Sequence, residues 1–134
     1  MSIHPDDRAW LAQSGLVDPE VDLGAVRLHT SGPPRWYLAA VGHSAIALGD
    51  HVWLREAERL RDRSLLVHEL VHVAQYRRLG RLRFVARYLL DLARAGFRYR
   101  RELPLEAPAY ARAEQARALL AAAPSASEVV GGTA

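Results

Sequence analysis

The sequence predicts an α+β fold dominated by three C-terminal helices, with a small β-hairpin packed on the first of them. Three observations carry this. Helical apolar periodicity runs from Leu65 onward and is interrupted only at Gly80 and Gly96. Two short β-like runs flank Gly49-Asp50, a dipeptide suited to a tight hairpin turn. Finally, 134 residues with half of them hydrophobic and a quarter charged fit one ordinary globular core. We therefore expect a single domain over 1–123 and a disordered tail over 124–134, where PSASEVVGGTA is small and polar.

Taken in order, Pro5 to Ser14 reads as a first helix, and Gly15, Pro19 and Gly24 punctuate a loop. Val26-Arg27-Leu28-His29 reads as a short strand stopped by Gly32-Pro33-Pro34. Ser44 to Leu54, SAIALGDHVWL, is the hairpin. Asp62 and Ser64 are both candidate N-caps for the helix Leu65–Leu79, because a short side-chain oxygen there accepts from the free amides of the first turn. A second helix, Leu82 to Ala95, places Val85, Leu89 and Leu92 on one face. The third begins at Pro104 or Pro108 and runs to Ala123.

Composition excludes several chemistries. With no Cys, the chain has no disulfide framework, thiolate metal site or cysteine nucleophile, so any metal site must use His and carboxylate. No run approaches the roughly 18 apolar residues of a membrane span, and the polar opening MSIHPDDRAW lacks a signal-type apolar region, so a cytoplasmic location is expected. All 18 basic residues are Arg. Residues 1–62 hold 6 Arg against 9 acids and residues 63–134 hold 12 against 6, so the basic half begins with the strongest helix. Arg83, Arg87, Arg94 and Arg98 form one helix face. Such a stripe can bind phosphates, yet without interleaved exposed aromatics a solvated face is the favoured reading and nucleic acid is not expected as a partner.

The chemically informative segment is Leu65-Leu66-Val67-His68-Glu69-Leu70-Val71-His72-Val73-Ala74-Gln75. Residues four apart share a helix face, so His68 and His72 can aim two imidazoles at one ion. Glu69 is rotated by about 100° from His68. It is badly placed as a third ligand but well placed to take a proton from a water on that ion. Zn²⁺ lowers the pKa of such a water from 15.7 to roughly 7, which makes His68 and His72 candidate ligands and Glu69 the candidate general base. The surroundings are almost wholly apolar, where two His and a Glu are costly without a partner.

A catalytic zinc takes three protein ligands and keeps one position open. His4, His29, His43 and His51 precede the motif and no His follows it. Gln75 and Arg78 stand where a metzincin needs Gly and His. A downstream ligand must be one of Asp91, Glu102, Glu106, Glu114 and Glu128. Asp91 reads as a surface acid salt-bridged to Arg87 or Arg94, and Glu106 can equally be a first-turn acid complementing a helix dipole.

These residues resemble the gluzincin-type metallopeptidase domain of bacteria, the core domain associated with extracellular contractile injection systems. The resemblance is carried by Val26-Arg27-Leu28-His29-Thr30, by Ala45-Ile46-Ala47-Leu48-Gly49-Asp50-His51-Val52 and, most specifically, by Leu65 to Gln75. It covers about residues 25–118. It implies a minimal gluzincin-like fold and a zinc-dependent peptidase acting on peptide or protein. It also allows a catalytically idle, zinc-stabilised module that binds a protein partner. In the wider group the third ligand is the Glu of a Glu-x-x-Ala-Asp pattern. Glu106-Ala107-Pro108-Ala109-Tyr110 is similar, which favours Glu106 over Glu102 as the third zinc ligand. Tyr110 replaces the usual Asp, and Pro108 is expected to delay the helix start. The same resemblance implies that the edge of Ser44–Leu54 binds a peptide main chain by strand addition. Tyr110 or Tyr99 is then an oxyanion donor or a packing residue, and His43 and His51 are hairpin-surface histidines.

Overall fold

The computed structural model describes residues 1–98 and 101–122. The expected tail, and Tyr99 with it, lie outside them. The architecture is α+β, with five helices and a three-stranded sheet in the order α1 (Pro5–Ser14), β1 (Arg27–His29), α2 (Pro33–Val41), β2 (Ala45–Leu48), β3 (His51–Leu54), α3 (Arg63–Leu79), α4 (Arg81–Arg94) and α5 (Glu106–Ala122). A 3-10 turn, Ala57–Arg61, leads into α3.

β2 and β3 form the expected hairpin, pairing Leu48 with His51 and Ala45 with Leu54. Gly49 sits at φ +65°, the left-handed conformation that a two-residue hairpin turn needs at its first central position. What local patterning did not reveal is the partner of β1. It pairs in parallel with β3, Leu28 opposite Val52, so the sheet order is β1-β3-β2 and β2 is an outer strand. The connection between β1 and the hairpin is α2, where the sequence suggested only a stop. Pro33 and Pro34 occupy the first helical positions, whose amides have no intrahelical acceptor, so the residues that end the strand also start the helix.

The core lies between the inner sheet face and α3. Leu28, Val52 and Leu54 point inward against Leu66, Val67, Leu70 and Val73, all nearly inaccessible, and Leu11 of α1 closes one side. α3 begins where expected to within two residues. The Asp62 carboxylate accepts from the Leu65 amide at 3.1 Å, and Ser64, the other candidate cap, donates its hydroxyl to Asp62 at 2.8 Å. α1 is tied to α3 by buried Asp7, which accepts from Arg61 Nε at 2.9 Å and Arg63 Nε at 2.8 Å.

α5 packs along α3 through the small buried residues Ala109, Ala113 and Ala116, which let the two helices approach closely. Pro108 does not delay its start. The helix opens at Glu106, and Pro108 falls in the first turn, where its missing N–H would be unpaired in any case. α4 is held by buried Phe84 and Asp91. Asp91 does pair with Arg87 at 3.3 Å, but at 6% exposure it is a buried acid and not a surface one. The face bearing Val85 and Leu89 is not core either: it remains open, with Leu89 55% exposed.

Candidate metal centre

His68, Glu69 and His72 occupy the middle of α3, the element most enclosed by the fold. Their positions follow from helix geometry alone: one turn separates the two imidazoles, and Glu69, one residue after His68, is buried. The third component arrives from α5. Glu106, its first residue, projects onto the same turn of α3, with its Oε1 2.9 Å from His72 Nε2 and its Oε2 3.5 Å from His68 Nε2. One ligand atom from each of His68, His72 and Glu106 lies within 4.8 Å of the others, a group able to hold a metal ion. Ligands about 2.0–2.1 Å from a tetrahedral zinc stand roughly 3.3 Å apart. The two Glu106–histidine separations lie on either side of that value, and two imidazoles with a carboxylate are a donor set zinc accepts.

Glu69 and Glu106 are each 4% exposed and His72 is 7% exposed, while His68 is half-buried. Burial disfavours charge on His72, but the hydrogen bond it donates to Glu106 and the charges of Glu69 and Glu106 outweigh it and push its pKa up to about 9. Burial raises the pKa of Glu69, against the pull of His72 and His68, with the nearby Glu106 charge adding to the rise. Glu102, the weighed alternative, is exposed at the surface, and Glu114 is occupied with Arg101 at 2.6 Å.

Gln75, the last residue of the informative segment, supports the centre from outside the three converging residues. Its Oε1 accepts from His72 Nδ1 at 3.0 Å, which turns the other ring nitrogen toward Glu106. Its Nε2 donates to the Leu105 carbonyl at 2.8 Å, tying the residue before Glu106 to the metal helix. The spacing of three between His72 and Gln75 is the signal that would have found it.

Tyr110 packs edge-on against the His68 ring, centroids 4.5 Å apart, and carries the Arg101 guanidinium over its own face at 4.5 Å. Its packing role is thus plain. Tyr88, missed from sequence, reaches the cleft from α4, one turn after Phe84. Burial, with the Glu106 charge as the next cause, raises its phenol pKa. The upstream histidines lie apart from the cluster, save one. His51 is exposed on the sheet, 2.9 Å from His29, whereas His43 is half-buried and lines the cleft, so it is not a hairpin-surface residue.

Two compartments open on the cluster. One, about 240 Å³, is walled by α2, β2 and α4 with Tyr37, Ile46, Leu48, Phe84, Val85 and Leu89. The other, about 420 Å³, is walled by Ser44, Arg59, Ser64, Arg101, Tyr110 and Arg117. His43, Ala45, His68 and Glu69 border both.

The fold and the cluster together define a small α+β scaffold with one candidate metal centre among the described residues. Residues 18–80 match the family model of the eCIS core domain, which supports the association with extracellular contractile injection systems. The matched segment contains the sheet and the His68-Glu69-His72 turn and ends before Glu106. No curated protein and no solved structure matches the chain. No helix among the described residues is long and apolar enough to cross a membrane.

Proposed function

We propose that this chain is a zinc-dependent metallopeptidase in which His68, His72 and Glu106 hold the ion and Glu69 is the general base. The observation that carries the reading is Glu69. It is buried, borders both compartments and lies next to His68, yet it is not one of the three residues whose atoms converge. A purely structural site has no use for a second carboxylate in that position, and burying one is costly.

A bound zinc supplies Lewis acidity, making water acidic near neutral pH and polarising a carbonyl. Glu69 takes the proton of the attacking water as the water oxygen bonds to the peptide carbonyl carbon. It returns that proton to the leaving amine as the C–N bond breaks. Gln75 holds the His72 ring, and the packed helix pair α3 and α5 keeps Glu106 within reach. Glu69→Gln keeps the shape and removes the base. It is expected to retain one zinc per chain and lose about 10²–10⁴-fold in hydrolysis of an internally quenched peptide mixture. Unchanged turnover sinks the mechanism.

The match to the eCIS core domain favours a second reading, in which the same zinc centre is idle and stabilises a module docking on a protein of a larger assembly. That reading predicts stoichiometric zinc, no hydrolysis by the wild type, and no effect of Glu69→Gln on partner binding.

A further inference from the structure

α4 is docked with its apolar stripe facing outward. A helix turns about 100° per residue, so Leu82, Val85, Ala86, Leu89 and Ala93 share an arc of about 100°, and every one of them is exposed. Leu82 is 83% exposed and Leu89 55%. The side of the helix that meets the protein is the opposite one, which holds Phe84 and the buried acid Asp91. An amphipathic helix of a globular domain turns its apolar stripe to the core. Here the stripe is left for something outside the core to cover.

Just past the end of α4, Phe97 stands at φ +60°, a left-handed conformation that is costly for a bulky residue, and its ring is 75% exposed. Neither the core nor the metal cluster uses that ring. Across the cleft, Tyr37 lines the same compartment as Val85 and Leu89, and it is exposed together with its neighbour Trp36. Single exposed apolar residues need no explanation, but a stripe along one helix with aromatic rings at its margins marks an interaction surface.

Charge identifies the partner. Arg83, Arg87 and Arg94 run along one flank of the stripe and Arg81 lies on the other, while Arg98 follows Phe97. Arg87 is paired with Asp91, and the other four have no ion pair among the described residues. α2 contains no acid, and α4 contains none besides Asp91. A second copy of the chain would bring like charges together, and a nucleic acid has no use for an aliphatic stripe. An anionic bilayer suits both features: the apolar side chains enter the acyl boundary while the long guanidinium side chains reach the phosphates of the headgroups.

We infer that the face formed by α4 and Phe97 binds the surface of a membrane carrying anionic lipid, with the helix lying in the interface and not crossing it. The inference uses neither the metal nor the peptidase reading, and its test measures binding without turnover.

The full chain is expected to co-sediment at low ionic strength with vesicles of phosphatidylcholine containing about one-third phosphatidylglycerol. Binding to phosphatidylcholine alone should be weaker by about tenfold or more, and the difference should shrink as salt is added. Leu82→Asp with Phe97→Asp, both away from the core and the metal cluster, is expected to weaken binding to the anionic vesicles about tenfold or more. Arg83→Glu with Arg94→Glu should weaken it about 25-fold or more, at roughly fivefold per guanidinium. Both pairs should keep the wild-type circular dichroism and zinc content; if the aspartate pair fails to fold, Leu82→Ser with Phe97→Ser carries the same expectation. No binding of the wild type to the anionic vesicles, or either pair binding them as tightly as the wild type, overturns the proposal. So does a dimer that Leu82→Asp disperses, or tighter binding of a soluble acidic amphipathic helix than of the vesicles, because the face would then belong to a protein. Vesicle binding by a chain that cleaves no peptide removes the peptidase reading and leaves this one standing, and cleavage without vesicle binding does the reverse.

Discussion

Gln75→Leu is the substitution that most directly tests how the centre is built. The side chain makes two hydrogen bonds with different purposes: it accepts from His72 Nδ1 at 3.0 Å and donates to the Leu105 carbonyl at 2.8 Å. Leucine keeps the bulk and removes both. Losing the partner that orients a ligating histidine costs 10–100-fold in metal affinity, which is about 1.4–2.7 kcal/mol. Leaving the Leu105 carbonyl without its donor costs about 1–3 kcal/mol of stability with or without metal, since Leu105 is buried. Gln75→Glu separates the effects. Its carboxylate still accepts from His72 Nδ1 but cannot donate to Leu105, so zinc affinity is retained while stability falls. Zinc dissociation constants come from competition with a chromophoric chelator, and stability from urea unfolding with and without zinc. Wild-type zinc affinity in folded Gln75→Leu would refute the reasoning, because His72 would then need no partner on its far side.

Three further outcomes are expected. Chelation should lower the melting temperature: zinc at a thousandfold excess over its dissociation constant stabilises by about 4 kcal/mol, a shift on the order of 15 °C for a chain of this size, and scanning calorimetry with and without EDTA reads it. Asp7 titrates below the usual carboxylate range, because hydrogen bonds and charges from Arg61 and Arg63 outweigh the upward push of burial. Its contribution is therefore fully present above the unfolded value near 3.8 and lost as pH falls through the lower folded value. Asp7→Asn should remove that acid-sensitive part of the urea midpoint and cost about 1–3 kcal/mol at pH 7. Ala113→Leu should overpack the α3–α5 contact at a cost of about 1–3 kcal/mol, and by pushing the helices apart it should weaken zinc binding as well, measured by the same chelator competition.

How far the sequence was legible differs from element to element. α3 was readable because its signals are local and agree: Asp62 caps it, an apolar run follows, and Gly80 ends it. The hairpin was readable from Gly49-Asp50. α2 was not, because Gly32-Pro33-Pro34 is an equally good end for a strand and beginning for a helix. Which one wins depends on Leu38 being buried, since Trp36 and Tyr37 remain exposed. The parallel pairing of β1 with β3 has no local mark at all, since three residues find their partner only through packing of the whole core. Periodicity correctly put Val85 and Leu89 of α4 on one face, but it cannot say what that face looks at, and here it looks into the cleft. Of the site, His68 and His72 were fixed by a spacing that only a helix makes meaningful. Glu106 needed the fold, because 34 residues of chain return it to within 2.9 Å of His72.

The position of Glu106 also bears on why the centre exists. A buried constellation of two imidazoles and two carboxylates is a poor way to stabilise a small protein. Charges taken out of water lose more hydration than neighbouring charges restore, and well-packed apolar residues of the same size usually do as well or better. Around this cluster the chain already has what it needs for such a core: Leu66, Leu70 and Val73 above, and Ala109 and Ala113 alongside. Here burial works against charge on His72, and the Glu106 carboxylate 2.9 Å from its Nε2, with the Glu69 charge, outweighs that and pushes its pKa up to about 9. Such a cluster is dearer than leucine would be, and a divalent cation held by His68, His72 and Glu106, as proposed, would turn that cost into a binding energy joining α3 to α5. Glu69 is not one of the three converging residues, although its charge helps raise the pKa of His72. It adds a further buried acid that neither the core nor the three converging residues require, which is the observation behind the general-base role proposed for it.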